Sequence, residues 1–365
     1  MNQEDTFPKD VKAHMLSFLN HGDASNVAKT NKLQAVMVGD AMIEQFKKHA
    51  VDYAELFDDS FLIRAHHRKN LQHLKCVKGV QDTTQCMMLA IQCKTLTELT
   101  FSRDFDEVID TLQAHAFPPG LRHLTFGCYF NNRGATLQKR VFPPGLTQLT
   151  FGHNFNTSVQ EDVLPPSLTH LTFGFRFNTP LEKGVLPRGL GHLTFGFAFN
   201  NGDTPLQKDV FPPGLKHLTL GVRFNNRNTP LQKDVLPPSL TQLTFGSGLK
   251  YGNSHIQNDV VLHLQNLTHL THLTHHGHIT LEEGSTLPDS LRYLYLHQCS
   301  DLELSMLPDG LTELTILNLT FQSDPIELIN VLPPTLRHLK IGTALTSETE
   351  NRWYLLRPDL EVTYL

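Results

Sequence analysis

The sequence predicts an α+β solenoid, in which short coils stack and their strands form one parallel sheet, preceded by a small helical domain. Near-identical copies of the pattern Leu/Phe-Pro-x-x-Leu-x-x-Leu-Thr recur at intervals of 22 or 25 residues, beginning at Phe117, Phe142, Leu164, Leu186, Phe211 and Leu236. A fixed period of this length is typical of proteins built from stacked repeats. Residues 1–66 do not repeat, and their apolar residues follow the three- and four-residue steps of amphipathic helices.

The repeat extends in both directions from these copies. Weaker copies begin at Leu287, Leu307 and Leu332, and the leucine pairs Leu71/Leu74, Leu96/Leu99 and Leu267/Leu270 continue the series. These positions make twelve coils, and Pro358–Leu360 begins a truncated thirteenth. We therefore predict a solenoid of about 12–13 coils over residues 67–365 and a separate helical domain over residues 1–66.

Each coil is predicted to contain one short strand with a buried side and an exposed side. Side chains alternate along a strand, so Leu124 and Phe126 point to one side while His123 and Thr125 point to the other. The apolar side is expected to form the core, and the polar side an exposed concave sheet. Two prolines before the strand favour an extended entry, and Gly127 permits a tight turn after it.

A Phe-Asn pair follows each strand of the clearest copies. The asparagine lies ten residues after the first strand leucine, and the pairs are Phe130-Asn131, Phe155-Asn156, Phe177-Asn178, Phe199-Asn200 and Phe224-Asn225. We expect the phenylalanines to stack in an internal column and the asparagine amides to satisfy backbone groups at the corner. The 25-residue copies differ from the 22-residue copies by an insertion after this pair, as at Asn201–Asp203 and Asn226–Asn228.

These strings resemble the FNIP repeat family, a 22-residue variant of the leucine-rich repeat. The resemblance rests on Phe177–Leu181, and on Phe224-Asn225 followed by Thr229–Leu231, and covers roughly residues 92–345. It implies a leucine-rich-repeat-like horseshoe with a parallel concave sheet that binds another protein. Two copies, at 156–158 and 134–136, lack the proline that the family has at this corner.

The N-terminal segment resembles an F-box. Phe7-Pro8, Asp10-Val11, Leu16–Leu19 and Asn31-Lys32 match that motif in order and spacing, although the aromatic residue expected soon after Lys32 is absent. The resemblance implies a substrate receptor of a Skp-cullin-F-box ubiquitin ligase, in which the repeats select the target. The surface for the Skp-type adaptor would consist of Phe7, Pro8, Val11, Met15, Leu16, Phe18 and Leu19. The alternative is a stand-alone scaffolding solenoid whose N-terminal helices serve only as a cap.

The exposed strand positions form the candidate surface for a target protein. The predicted target-binding residues of the concave face are His123, Gln148, His170, His192, His217, Gln242 and His269. Three interpretations remain open for this row: a solvated polar face, a partner surface that gains charge below neutral pH, and a metal site. The last would draw on the histidines between 269 and 278, but no carboxylate or cysteine is spaced to complete it, so we expect no metal.

Composition and sequence motifs argue against several other classes of function. The net charge is −5 and no basic stripe stands out, so we expect no nucleic-acid partner. No apolar run is long enough to span a bilayer, so we expect no membrane partner. The N-terminus does not resemble a signal peptide, which predicts a location in the cytoplasm or the nucleus. If the chain is viral, the cytoplasm is that of the host cell. Phosphate-loop, zinc-protease and serine-hydrolase motifs are absent from the sequence. We therefore predict a protein-binding adaptor that is not an enzyme and carries no cofactor.

Overall fold

The computed structural model has two compact units, residues 1–152 and residues 153–365. It describes residues 53–56, 73–76, 96–101, 103–106, 108–109, 117–229, 231–246, 260–262, 264–281, 286–299, 307–319, 329, 332–342 and 347–365. The predicted adaptor-binding residues between Phe7 and Leu19 lie outside these ranges.

The first unit is a parallel sheet with one short strand per coil. Its strands are β1 (Tyr53–Leu56), β2 (His73–Cys76), β3 (Glu98–Thr100), β4 (His123–Thr125) and β5 (Gln148–Thr150). Each strand pairs in parallel with the next, so that Glu98 lies opposite His123 and His123 opposite Gln148. A 3₁₀ turn at Asn132–Gly134 follows β4.

Strand β1 corrects one detail of the sequence prediction. Residues 1–66 were predicted to be helical, yet Tyr53–Leu56 is a strand that pairs in parallel with β2, with Tyr53 opposite His73. The 20-residue offset between these two residues is that of one short coil, although no Pro-x-x-Leu-x-x-Leu pattern marks it. The rest of the helical domain and its boundary at residue 66 stay a prediction.

The second unit continues the same construction with longer strands toward its end. Its strands are β6 (His170–Thr172), β7 (His192–Thr194), β8 (His217–Leu220), β9 (Gln242–Phe245), β10 (Val260–Leu262), β11 (His272–Leu281), β12 (Tyr293–Cys299), β13 (Glu313–Leu319), β14 (His338–Ile341) and β15 (Glu361–Tyr364). The order is β6 to β9, then β11 to β15, and β10 pairs with the end of β11. Helix α1 (Ser347–Leu356) precedes β15 and buries Trp353. The 3₁₀ turns Asn201–Asp203 and Asn226–Asn228 occupy the insertions of the 25-residue copies.

The structure confirms which side chains of the strands were predicted to be buried and which to be exposed. The central strand leucine is at most 1% exposed in every coil with described side chains, at Leu99, Leu124, Leu149, Leu171, Leu193, Leu218, Leu243, Leu273, Leu294, Leu314 and Leu339. The residues before and after each of these leucines are mostly half-buried or exposed. Because the leucines pair coil to coil in register, they form a continuous apolar column within each unit.

The phenylalanines of the Phe-Asn pairs form the predicted internal column. In the second unit the ring of Phe177 lies 6.0 Å from that of Phe155 and 6.1 Å from that of Phe199, centroid to centroid. Within one coil, Phe177 also stacks on the strand residue Phe173 at 3.8 Å. All these rings are at most 1% exposed, so the aromatic column is a second core element beside the leucines.

The asparagines of these pairs form a hydrogen-bonded ladder at the corner. The side-chain oxygen of Asn156 accepts from the backbone N–H of Asn178 at 2.8 Å, and that of Asn178 accepts from Asn200 at 2.7 Å. In the first unit Asp106 takes the same role toward the N–H of Asn131, at 2.7 Å. Phe105-Asp106 was not recognised as a repeat pair, although it lies ten residues after Leu96 like the others.

The insertion of the 25-residue copies closes into a tight turn around a buried asparagine. Asn201 is 3% exposed, has a left-handed backbone (φ 53°), and accepts from the N–H of Leu181 in the preceding coil at 2.8 Å. Its amide donates to the carbonyl of Thr204 at 3.2 Å. Asn132 and Asn226 repeat this arrangement, so the insertion fills a coil junction rather than looping into solvent.

Candidate protein-binding face

The outward positions of the strands form two parallel rows. The first, here called the outer row, contains Glu98, His123 and Gln148 in the first unit, and His170, His192, His217, Gln242, His272, Tyr293, Glu313, His338 and Glu361 in the second. A second row, two residues later in each strand, consists mainly of threonine. Both rows are carried by three- to ten-residue strands anchored on the leucine column, which places their side chains on a rigid surface.

One predicted member of the outer row is displaced. His269 was predicted to point outward from a strand, but it lies in the turn before β11, and His272 occupies the position opposite Gln242. The reason is the sequence Leu267-Thr-His-Leu270-Thr-His-Leu273, in which two leucine pairs have equal spacing. The structure uses Leu270 and Leu273 and thereby buries Leu273 completely.

Three imidazoles form a stack in the middle of the outer row of the second unit. The ring centroids of His170 and His192 are 4.1 Å apart with an interplanar angle of 8°. Those of His192 and His217 are also 4.1 Å apart, with an angle of 25°. In parallel stacked rings the nitrogens do not converge on one point, and among the described residues no three His, Cys, Asp or Glu side chains are placed to share a metal ion.

The stack shifts the proton affinity of its central ring. The pKa of His192 lies below its ordinary value of 6.5. Burial is the larger cause, and the neighbouring imidazoles of His170 and His217 lower this pKa further. A second proton in such a row is disfavoured because like charges would lie one strand apart. The ring of His192 therefore takes up a proton only as the pH falls below neutral.

Hydrogen bonds fix the orientation of the two outer rings of the stack. The Nδ1 of His217 lies 3.0 Å from the side-chain oxygen of Gln242, and the Nδ1 of His170 lies 2.9 Å from the hydroxyl of Thr169. Elsewhere in the same row a histidine has a carboxylate beside it: His338 lies 3.0 Å from Glu361. The stacked histidines are thus paired with neutral groups, whereas His338 has an acidic one.

Three of the histidines between 269 and 278 lie in different surroundings. His272 is exposed in the outer row, whereas His275 is 1% exposed and packs beside Phe245 in the core, at 5.2 Å between centroids. His276 lies 4.8 Å from the ring of Tyr295. Burial and the nearby His297 lower the pKa of His276 to about 4. The side chains of His272, His275 and His276 therefore face different surroundings.

A second stack, which sequence reasoning missed, lies directly after the strands. The rings of His153 and Phe175 are 4.6 Å apart, those of Phe175 and Phe197 are 4.7 Å apart, and the guanidinium of Arg223 lies 5.4 Å from the ring centroid of Phe197. All but Arg223 occupy the position after the glycine of the Gly-x-x-Phe-Asn string, which is the signal that could have revealed them. A neighbouring cavity of about 310 Å³ is lined mainly by the asparagine ladder, with Asp203 and Arg223.

Comparisons with known proteins agree with this construction. The FNIP repeat model matches residues 130–176 and 203–248. A search of curated protein sequences found no match to this chain. No helix in the described part of the chain is long and apolar enough to cross a membrane.

Two solved structures resemble the chain. The crystal structure of CroV588, a circular leucine-rich-repeat protein, is 29% identical with a TM-score of 0.49, over 81% of this chain and 47% of that one. The structure of TLR13 in complex with ssRNA13 is 17% identical with a TM-score of 0.52, over 86% of this chain and 46% of that one. The chain therefore spans about half the length of either. Residues 130–176 and 203–248 thus resemble FNIP repeats, and within each unit the described coils that contain them carry the strands of a parallel sheet.

Proposed function

We propose that this chain is a protein-binding adaptor whose outer row holds a target protein. The observation that carries the proposal is the regular polar surface of the second unit, where successive strands present exposed or half-buried side chains over a fully buried leucine column. Solenoids bind partners on such extended faces, because each coil adds one more row of contacts without requiring a new core. Neither the sequence motifs nor the described site points to catalysis, so the proposed role is binding and not chemistry.

The finer proposal is that the adaptor belongs to a Skp-cullin-F-box ubiquitin ligase and acts in the cytoplasm. Its support is the F-box resemblance of the N-terminal segment, with Phe7-Pro8 and Leu16–Leu19 in the order that motif requires. In this arrangement the N-terminal helices pack their apolar face against the Skp-type adaptor, and the repeats present the target. Neither a nucleic acid nor a membrane is proposed as a partner.

A binding measurement with the full chain and a Skp-type adaptor tests this role. The double substitution Leu16→Asp with Phe18→Asp is expected to abolish binding, because each change would place an unpaired charge in an apolar interface. The matched control is Ala13→Asp with Ser17→Asp, which adds the same two charges on the side of the predicted helix opposite Val11, Met15 and Leu19 and should leave binding intact. Failure of the unmodified chain to bind any Skp-type adaptor would remove the ligase role.

One observation favours the alternative, a scaffolding solenoid with an N-terminal cap. Strand β1 extends the parallel sheet into residues 53–56, so part of the N-terminal segment is itself a coil of the sheet. A solenoid needs a polar cap over the apolar end of its first coil, and helices before β1 would supply it. Under this alternative the unmodified chain binds no adaptor, while the outer row still binds its target.

A further inference from the structure

We propose that the outer row around the imidazole stack binds an acidic peptide segment, and that this binding strengthens as the pH falls below neutral. The inference rests on the proposed protein-binding function and names the chemistry of the partner. It arises from the contrast between histidines of the same row that have a carboxylate beside them and histidines that do not.

The stacked histidines lie in a stretch of the face without internal anions. The ten positions of the outer row and the second row on β6 to β9 and β11 are histidine, threonine or glutamine: His170, Thr172, His192, Thr194, His217, Thr219, Gln242, Thr244, His272 and Thr274. In contrast, His338 lies beside Glu361 one strand along, and in the first unit His123 lies 3.1 Å from Glu98. The repeat can therefore place a carboxylate next to an outer-row histidine, and it does not do so at the stack.

Among the described positions of β6 to β9 and β11, protonation of the stack would create positive charge beside which no carboxylate lies. The groups beside His192 are His170 on β6 and His217 on β8, and Lys216, which directly precedes His217, is also a cation. A carboxylate placed across the row would accept hydrogen bonds from imidazolium N–H groups and replace the missing counterion. Such an anion favours the protonated state, so binding takes up protons, and by linkage acidification tightens binding.

An acidic peptide fits these features better than a nucleic acid does. Above neutral pH the ten positions carry no fixed charge, whereas a nucleic-acid surface keeps arginines and lysines that neutralise phosphates at any pH. The threonine row supplies hydroxyls that donate to and accept from peptide groups, beside histidines that recognise side-chain carboxylates. The second row of β6 to β9 and β11 is half-buried, so part of each threonine side chain stays accessible to an extended chain lying across these coils.

Fluorescence anisotropy with the full-length chain tests the proposal. The probe is a labelled peptide that alternates glutamate and alanine, measured at about pH 7.5 and at about pH 5.8, where glutamate is still ionised and histidine titrates. We expect about ten-fold tighter binding at the lower pH. A peptide with glutamine in place of glutamate should bind weakly at both pH values. Equal binding of the two peptides would overturn the proposal.

Variants of the row locate the binding site. The triple substitution His170→Gln, His192→Gln, His217→Gln should remove the pH-dependent part of the affinity, and His192→Gln by itself should reduce it. The control His338→Gln should leave the affinity unchanged, since that ring already has Glu361 beside it. Thermal melts of each variant at neutral pH establish that the coils remain folded; pH-dependent binding that survives in a folded triple variant would contradict the proposal.

The sharpest variant supplies the missing carboxylate. Because the oxygen of Gln242 already lies 3.0 Å from the Nδ1 of His217, Gln242→Glu introduces an internal counterion at almost unchanged shape. We expect it to weaken binding of the glutamate peptide several-fold at about pH 5.8. Tighter binding of a single-stranded DNA oligonucleotide than of the peptide would instead assign the face to nucleic acid. If a target protein binds the face and is lost with His192→Gln while no acidic peptide binds, the adaptor function stands and the acidic partner is wrong.

Discussion

At the scale of single residues, the coil junctions depend on groups that bond across one repeat. The buried amide of Asn201 satisfies a backbone N–H of the previous coil and a carbonyl of its own turn, and the left-handed backbone at this position suits asparagine. The Asn156–Asn178–Asn200 ladder also joins coils, since the oxygens of Asn156 and Asn178 each accept from a backbone N–H of the following coil. A buried N–H without such an acceptor would cost roughly 1–3 kcal/mol, so each asparagine secures the join between two coils.

The glycine after each strand was predicted to permit a turn, but at Gly196 and Gly221 it is needed for close backbone packing. A Cβ on Gly196 would lie 2.2 Å from the carbonyl oxygen of Gly174 in the preceding coil, whereas one on Gly191 would lie 3.8 Å from its nearest neighbour, the carbonyl oxygen of Thr169. We therefore expect Gly196→Ala to lower the free energy of unfolding by about 1–3 kcal/mol or more, as overpacking does. Gly191→Ala is the control and should change it little. Equal effects in chemical denaturation would contradict the packing role.

The half-buried His276 makes the stability of the second unit sensitive to acid. Its pKa in the folded state is about 4, below the ordinary 6.5, because of burial and the nearby His297. The unfolded chain therefore binds the proton first as the pH falls, and stability is lost between about pH 6.5 and pH 4 and stays reduced below that. This pKa shift corresponds to a loss of at most about 3 kcal/mol in the free energy of unfolding. The actual loss is smaller, because solvent screens the half-buried ring.

Denaturation curves of a variant at several pH values test this assignment. His276→Gln should lose less stability between about pH 7.5 and pH 4.5 than the unmodified chain does. His272→Gln, an exposed histidine of the same strand, should keep the pH dependence of the unmodified chain. An identical pH dependence for His276→Gln and the unmodified chain would show that another group carries the acid sensitivity.

At the scale of the element, a single coil has too little secondary structure to fold by itself. The strands from β3 to β9 are only three or four residues long, and their buried surface comes from residues of the neighbouring coils. Phe177, for example, contacts Phe155 of the preceding copy and both Phe195 and Phe199 of the following one. Stability therefore arises from stacking between coils, as expected for a repeat protein.

The contribution of stacking between coils to stability can be measured on the aromatic column. Phe177→Ala removes a fully buried ring and should lower the free energy of unfolding by about 3–5 kcal/mol, since the stacked neighbours cannot close the cavity. The control Phe175→Ala removes a half-buried ring of the second stack, which contains His153, Phe175 and Phe197. It should lower the free energy of unfolding clearly less. A cost under about 1 kcal/mol for Phe177→Ala would mean that the ring is not part of the core.

At the scale of the whole molecule, the repeats and the N-terminal segment are proposed to have separate tasks. The repeats carry their own leucine and phenylalanine columns within each described unit, and the predicted docking residues all precede residue 20. The chain as a whole has a net charge of −5, so an acidic partner is not attracted by overall charge and must be recognised locally. The histidine row provides such a local site.

A thermal melt of the full chain separates the two roles of the N-terminal segment. If it is an adaptor-binding domain, Leu16→Asp with Phe18→Asp should leave the melting temperature of the repeats unchanged. If it is a cap, the same double variant should expose the first coil, lower the melting temperature and cause aggregation. Light scattering recorded during the melt distinguishes these results, and Ala13→Asp with Ser17→Asp again serves as the charge-matched control.

The sequence by itself determined the period, the strand positions, the buried leucines and the Phe-Asn column, because these follow from a spacing that repeats with little variation. It could not choose between His269 and His272, since Leu267, Leu270 and Leu273 are equally spaced and only the pairing of β11 with β9 selects one pair. It also could not show that three imidazoles stack at 4.1 Å or that His338 has a carboxylate neighbour. These contacts join residues 22 to 25 positions apart, so they exist only once the coils are stacked in register.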